Sequence, residues 1–297
     1  MTIKLLAETP PWDWPLDAGE IFSACLKDPK SPPEDRQTAA ELAGDLIVMN
    51  DSIAELLLSI VENANEPEEL RATAAIALGP ALEEVDTSDF EDEYEDPVIS
   101  EPVFEKVRRT LQSVHDDKTA PKLVRRRALE ASVRSPQPWH KKAVESAWSS
   151  GDSDWKLTSV FSMRHIPGDY NAKILEALKS KDEDLHFEAV IAAGAKEIDK
   201  AWPHVSALLS PDTDKDLLLA AIDAAPTIRP QEAMKLLLDL SESIEDEDEE
   251  IQDAIEESVL MARGLLNELD EDDEFDEEGL DDDDFDGGDK PPAKRPN

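Results

Sequence analysis

A spacing of small residues recurs along the chain and restricts its possible folds more than any other feature. In Leu70-Arg71-Ala72-Thr73-Ala74-Ala75-Ile76-Ala77-Leu78-Gly79, the anchor Arg71 is followed three and six residues on by Ala74 and Ala77. The same spacing starts from Arg36 (Ala39, Leu42), Arg125 (Ala128, Ala131), Lys156 (Ser159, Ser162) and His186 (Ala189, Ala192). It starts again from Leu218 (Ala221, Ala224) and Gln252 (Ile255, Ser258). The anchors lie 35, 54, 31, 30, 32 and 34 residues apart. The long interval holds an acidic insertion, 83–101, with ten carboxylates and no base; removing its 19 residues leaves 35. Self-similarity at this period marks stacked helical hairpins, because one hairpin cannot bury its apolar face alone.

Each unit reads as two helices. The first precedes the anchor, for example over 51–62, 102–115, 170–179 and 202–209, and a turn rich in Asp, Asn, Pro or Gly follows. The second helix carries the anchor. Positions three and six beyond it share one helix face, where small side chains let a neighbouring hairpin approach closely. No alternating run of strand length interrupts this pattern. The expectation is an all-α fold, an α-α solenoid (superhelix) of about seven hairpins. It divides into an N-terminal cap segment (1–16), a repeat domain (17–266) with the insertion 83–101, and a disordered acidic tail (267–297).

The segment Leu70-Arg71-x-x-Ala74-Ala75-x-Ala77-Leu78-Gly79 resembles the short HEAT-like repeats of the phycobilisome-lyase type, and the resemblance covers roughly 17–266. Such repeats serve as scaffolds, as lyase subunits and occasionally as enzymes, so the resemblance implies a fold more than an activity. HEAT-like deoxyhypusine hydroxylases carry paired His-Glu dipeptides for iron, and this chain contains none. The five histidines lie at least 18 residues apart, and Cys25 is the only cysteine. The sequence therefore offers no local metal pair, no cysteine zinc site and no intramolecular disulfide. Phosphate loops, nucleophile elbows and zinc-protease motifs are also missing from it. We expect no catalytic, cofactor or metal residues, and a protein that is not an enzyme.

With 71 acids against 30 bases the chain carries a formal charge of −41, which repels nucleic-acid backbones. No stretch approaches 18 uncharged apolar residues, so no membrane partner is expected, and the default location is cytoplasmic. The acids concentrate in the insertion and in 268–286, where 14 of 19 residues are acidic, interrupted by Phe275, Leu280 and Phe285. There, Asp282-x-Asp284-x-Asp286-Gly287 matches only the start of a calcium loop; position twelve would be Ala293. The segment Pro10-Pro11-Trp12-Asp13-Trp14-Pro15 reads as a non-helical cap folded over the first hairpin, with an exposed docking peptide as the alternative.

One window breaks the acidity. Residues 105–142 hold 11 bases against 4 acids, a net +7, directly after the acidic insertion. Two accounts follow. The insertion neutralises the island locally, or the island docks an acidic partner or the chain's own tail. On the second account the contacts are Arg108, Arg109, Arg126, Arg127, Arg134, Trp139 and His140. The anchors Arg36, Arg71 and Arg125 are read as an internal ladder tying one hairpin to the next, against a role as ligands for a partner's carboxylates. The expected function is a protein–protein interaction scaffold, its partner another protein met on the face of the second helices. The alternatives are a lyase-like or chaperone subunit presenting a chromophore or substrate, and an acidic nucleic-acid mimic that binds a basic protein.

Overall fold

The computed structural model describes residues 2–88, 97–244 and 248–277, with side chains to residue 267, and all of its regular secondary structure is helical. Two compact units divide at Ala201 and Trp202, a boundary the repeat spacing does not announce. In the first, α1 (Ile3–Ala7) precedes α2 (Ala18–Lys27), α3 (Pro33–Leu42), α4 (Asp51–Glu62), α5 (Glu68–Ile76) and α6 (Gly79–Thr87). Then follow α7 (Glu101–Asp116), α8 (Lys122–Ser132), α9 (Pro138–Trp148), α10 (Ser153–His165), α11 (Asn171–Ala177) and α12 (Glu183–Ala195). The second unit holds α13 (Trp202–Leu208), α14 (Lys215–Ile228), α15 (Pro230–Ser243) and α16 (Glu249–Glu277). The anchors fall on α3, α5, α8, α10, α12, α14 and α16, the second helix of each successive hairpin, as the spacing requires.

In the first unit the second helices pack in a row, α3 on α5, α5 on α8, α8 on α10 and α10 on α12. The small residues make that row possible: Ala39, Ala74, Ala128, Ala131, Ser159, Ser162, Ala189 and Ala192 are all fully buried. Gly44, just past α3, shows how close the approach is. A Cβ there would lie 2.7 Å from the Ala77 carbonyl oxygen at the end of α5, nearer than real Cβ contacts come.

The anchors close their own hairpins, which corrects the expected ladder between hairpins. Arg36 Nη2 donates to Leu26 O (3.0 Å), Arg71 Nε to Val61 O (2.9 Å) and Arg125 Nε to His115 O (2.9 Å). Each acceptor lies ten residues back, in the last turn of the first helix, where carbonyls lack helical partners and a cation suits the helix dipole. Lys156 reaches the same place by stacking its ammonium 4.3 Å from the ring of Trp148, the last residue of α9. Lys156 also reaches the next hairpin, through Glu176 (3.0 Å), and Arg36 does so through a two-pronged pair with Glu66 (2.7 and 2.8 Å). That pair holds the Glu66 carboxyl below its ordinary range.

The helices depart from the expected division at three places. The segment 10–15, expected to be non-helical, contains one 3-10 turn over Pro11–Asp13, and α1 precedes it; Thr2 Oγ1 caps α1, and Ile3 and Leu6 are buried. Trp14 does fold over the first hairpin, its indole donating to Leu6 O and Thr9 O and packing edge-on to Phe22 at 5.2 Å, while Trp12 stays 78% exposed. The insertion begins inside α6, which buries Ala81, Leu82 and Val85. The last helix passes the expected tail boundary at residue 267 and runs to Glu277. The disorder expected of 278–297, with Leu280, Phe285 and the partial calcium loop, lies outside the described residues, as does 89–96 of the insertion.

Candidate functional site

The row of second helices presents one face whose positions repeat two and five residues beyond each anchor: Thr73 and Ile76, Arg127 and Glu130, Thr158 and Phe161, Glu188 and Ile191. Two regions of this inner face differ in character.

Across α3, α5 and α8 runs an open groove of about 390 Å³, floored by Ala72, Ile76 and Leu123 and edged by Gln37, Glu41, Glu69, Thr73 and Arg127. Its surroundings are acidic for a local reason. Residues 2–88 contain 18 acids and 5 bases, and two of those bases, Arg36 and Arg71, are consumed inside the hairpins at 8% and 7% exposure. Lys4, Lys27 and Lys30 are the only cations left on the outside of that segment.

Further along, α8, α10 and α12 carry an ionic network. Glu130, 2% exposed, accepts from Arg127 Nη1 (2.5 Å) and from the Thr158 hydroxyl (2.6 Å). Arg126 Nε donates to Thr158 Oγ1 (2.8 Å), and Arg126 Nη1 lies 3.4 Å from Asp154. Arg134 donates to Glu83 on α6, and the Ser135 hydroxyl to Asp86 (2.7 Å). Arg164 stacks 4.2 Å from the Phe161 ring, and its Nη1 lies 3.1 Å from Glu188 Oε1, an ion pair without an aligned hydrogen bond. Burial pushes the Glu188 carboxyl up, partly offset by Arg164. Burial, with Arg164 and Arg134 beside it, brings His165 down to about 3.

This network settles where the candidate contacts sit. Arg126 (7% exposed) and His140 (fully buried) are corrected: both are interior groups and leave the candidate surface. Arg127 and Arg134 are taken up by Glu130 and Glu83, and Arg108 by Glu105 (2.8 Å) with the Phe104 ring beneath it. Trp139 is half-buried, 5.4 Å from the His115 ring, and Arg109 alone of the seven is exposed, on α7. Hence the island does not converge on one surface. Arg126 and Arg127 on α8 and Arg134 just past it are neutralised locally, Arg134 by the start of the insertion; the α7 and α9 cations Arg109, Lys141 and Lys142 are exposed.

His140 shows why an island residue can be structural. The Gln137 amide donates to its Nδ1 (2.9 Å), and its Nε2 meets the Ser132 hydroxyl (3.1 Å), whose own proton goes to Leu129 O. The pattern assigns a neutral ring with its proton on Nε2. Protonating Nδ1 would set two N–H groups against each other. Burial, with His115 and Arg108 nearby, lowers its pKa to about 3. Between that value and the ordinary one near 6.5 the unfolded chain binds the extra proton, so stability falls as pH drops through this window. Lowering pH from 7 to 5 is expected to cost the parent about 2 kcal/mol more than a His140→Gln variant, read from urea midpoints at both pH values.

Among the described residues no group of three or more His, Cys, Asp or Glu side chains is arranged to hold a metal ion, and no helix is long and apolar enough to cross a membrane.

The sequence matches no protein-family profile and no curated protein. Among solved structures, the Escherichia coli protein YibA aligns over 84% of this chain and 83% of its own, at 17% identity and a TM-score of 0.42. Human deoxyhypusine hydroxylase aligns over 88% and 96%, at 14% identity and 0.39, and an engineered protein over 83% and 68%, at 15% and 0.38. The HEAT-like character of this chain rests on its own hairpins, with an anchor on every second helix and small residues buried between the helices of the first unit's row.

Proposed function

We propose that this protein is an interaction scaffold that binds a basic partner protein along the acidic part of its inner face. One observation carries the reading: the groove across three consecutive second helices, with an aliphatic floor and the carboxylates of Glu41 and Glu69 on its edge. A lysine or arginine side chain laid there sets its stem on Ile76 and Leu123 and its charge against those carboxylates. Burial of Arg36 and Arg71 supports the same partner chemistry, because it leaves Arg127, itself paired with Glu130, as the one cation in the groove's lining. The reading replaces the basic island with the acidic groove as the docking surface. It agrees in partner chemistry with a nucleic-acid mimic that occupies a basic protein, and it assigns no catalytic role.

A photo-crosslinking residue at Thr73, in the groove, is expected to capture a basic protein from native lysate at low salt. The same residue at the exposed Ser59 on α4 should not. Glu41→Lys with Glu69→Lys is expected to abolish capture while leaving the melting temperature within a few degrees, since both side chains are exposed. Equal capture at both positions, or capture that survives the double reversal, would sink the reading.

A further inference from the structure

The third anchor is not equivalent to the first two. Arg36 and Arg71 are buried, whereas Arg125 is half-buried; like Arg71, which spends Nε on Val61 O, Arg125 spends only Nε, on His115 O. Its difference from Arg36 lies in the turn of the following hairpin. Arg36 meets Glu66, five residues before the next anchor; five residues before the anchor that follows Arg125 stands Gly151, which has no side chain to offer. Gly151 holds φ at +75°, and a Cβ built on it meets nothing within 4 Å, so the place of the missing carboxylate is open.

What remains there is a cleft of about 130 Å³ lined by His115, Lys118, Arg125, Ser146, Ser150 and Trp155 on a floor of Ala143 and Ala147. In a chain of net charge −41 its lining contains no acid. Asp116 and Asp117 lie within electrostatic reach of His115 and Arg125, but among the described residues no neighbouring carboxylate pairs with either cation of the cleft. Asp117 Oδ1 accepts from the amide and hydroxyl of Thr119 (2.8 and 2.7 Å), and Asp152 and Asp154 both pair with Lys122. Neither Arg125 nor Lys118 makes an ion pair among the described residues. The Trp155 ring, 5.3 Å from the Arg125 guanidinium carbon, fixes the plane of the fork. His115 adds shape rather than charge, since its Nδ1 faces Arg125 O at 3.3 Å and burial lowers its pKa.

We infer that this cleft is a binding site for a compact oxyanion, a phosphate or a carboxylate, held by the free Nη groups of Arg125, the Lys118 ammonium and the Ser146 hydroxyl. The ligand takes the place that Glu66 fills for Arg36. An arginine with two unspent parallel donors suits either oxyanion, and a second cation beside it favours a dianion. The site lies apart from the acidic groove, and neither its success nor its failure bears on that reading.

The test is an NMR titration of the full chain at pH 7 with inorganic phosphate in one arm and acetate in the other, ionic strength held constant with sodium chloride. Saturable shifts confined to the amides of Lys118, Arg125, Ser146 and Gly151 and the Trp155 indole are expected in at least one arm. Shifts with phosphate alone identify a phosphate-bearing ligand; shifts in both arms identify carboxylates as ligands too. Arg125→Gln is expected to weaken binding at least tenfold. Because that variant also loses a hairpin-closing bond, two surface variants accompany it. Lys118→Ala should weaken binding several-fold, and Ser146→Glu, which places a carboxylate in the cleft, should remove it. No saturable shift in either arm, or unchanged binding in Lys118→Ala and Ser146→Glu, overturns the inference.

Discussion

Ala189→Asp is expected to yield little soluble folded protein, or protein whose thermal transition is lowered by well over 10 °C. Ala189 sits three residues past the fifth anchor, fully buried where α12 packs on α10. A carboxylate placed there enters a helix contact sized for a methyl group. It must either stay charged without solvent or protonate and still overfill the site. Either route costs several kcal/mol, a large part of the stability of a domain this size. Ala172→Asp is the matched control, because Ala172 is exposed in the first turn of α11, where a negative charge is tolerated. Circular dichroism melts of the two variants decide the matter. If Ala189→Asp melts with the parent, the repeat register that places the small residues between hairpins is wrong.

That register was legible because it rests on periodicity. A small residue at fixed distances from an anchor fixes both the helix and the face it buries, and the seven anchors fall on seven second helices. The partners of the anchors were not legible. Arg36, Arg71 and Arg125 bond to backbone carbonyls, and a carbonyl leaves no trace in side-chain identity. The island misled for a related reason. Counting charges along 105–142 mixes residues of α7 and α9, which face outward, with residues of α8, which face the inner row. The acids that neutralise Arg126, Arg127 and Arg134 come from α10, α8 and α6 respectively. Their signal was present in the repeat frame. Polar or charged groups two residues beyond successive anchors (Thr73, Arg127, Thr158, Glu188) mark the inner face, and a comparison of the turns would have set Glu66 against Gly151. Phe161, Arg164 and Glu188 escape a search by composition, because only the stacking of α10 on α12 brings them together.

Removing Arg126 is expected to destabilise the protein rather than only weaken a surface. In Arg126→Met the Glu130 carboxylate remains 2% exposed, still bonded to Arg127 and Thr158 but without the nearby guanidinium that Thr158 links to it. Breaking a buried pair from one side costs about 3–5 kcal/mol, because the remaining charge stays desolvated. Glu130→Leu should cost a similar amount, since it strands Arg126 and the Thr158 hydroxyl together. The double variant Arg126→Met/Glu130→Leu removes both charges and fills the space with apolar atoms. Its loss is therefore expected to fall short of the summed single losses by at least about 1 kcal/mol, a coupling typical of groups in one network. Urea unfolding of the four proteins at pH 7 measures the cycle. A coupled result identifies Arg126 as part of the packing between α8 and α10, in which case loss of a partner on mutating it reports unfolding, not docking. Additive losses would instead mean that Arg126 and Glu130 act separately, that Asp154 suffices to hold the guanidinium, and that Arg126 can be probed as a contact after all.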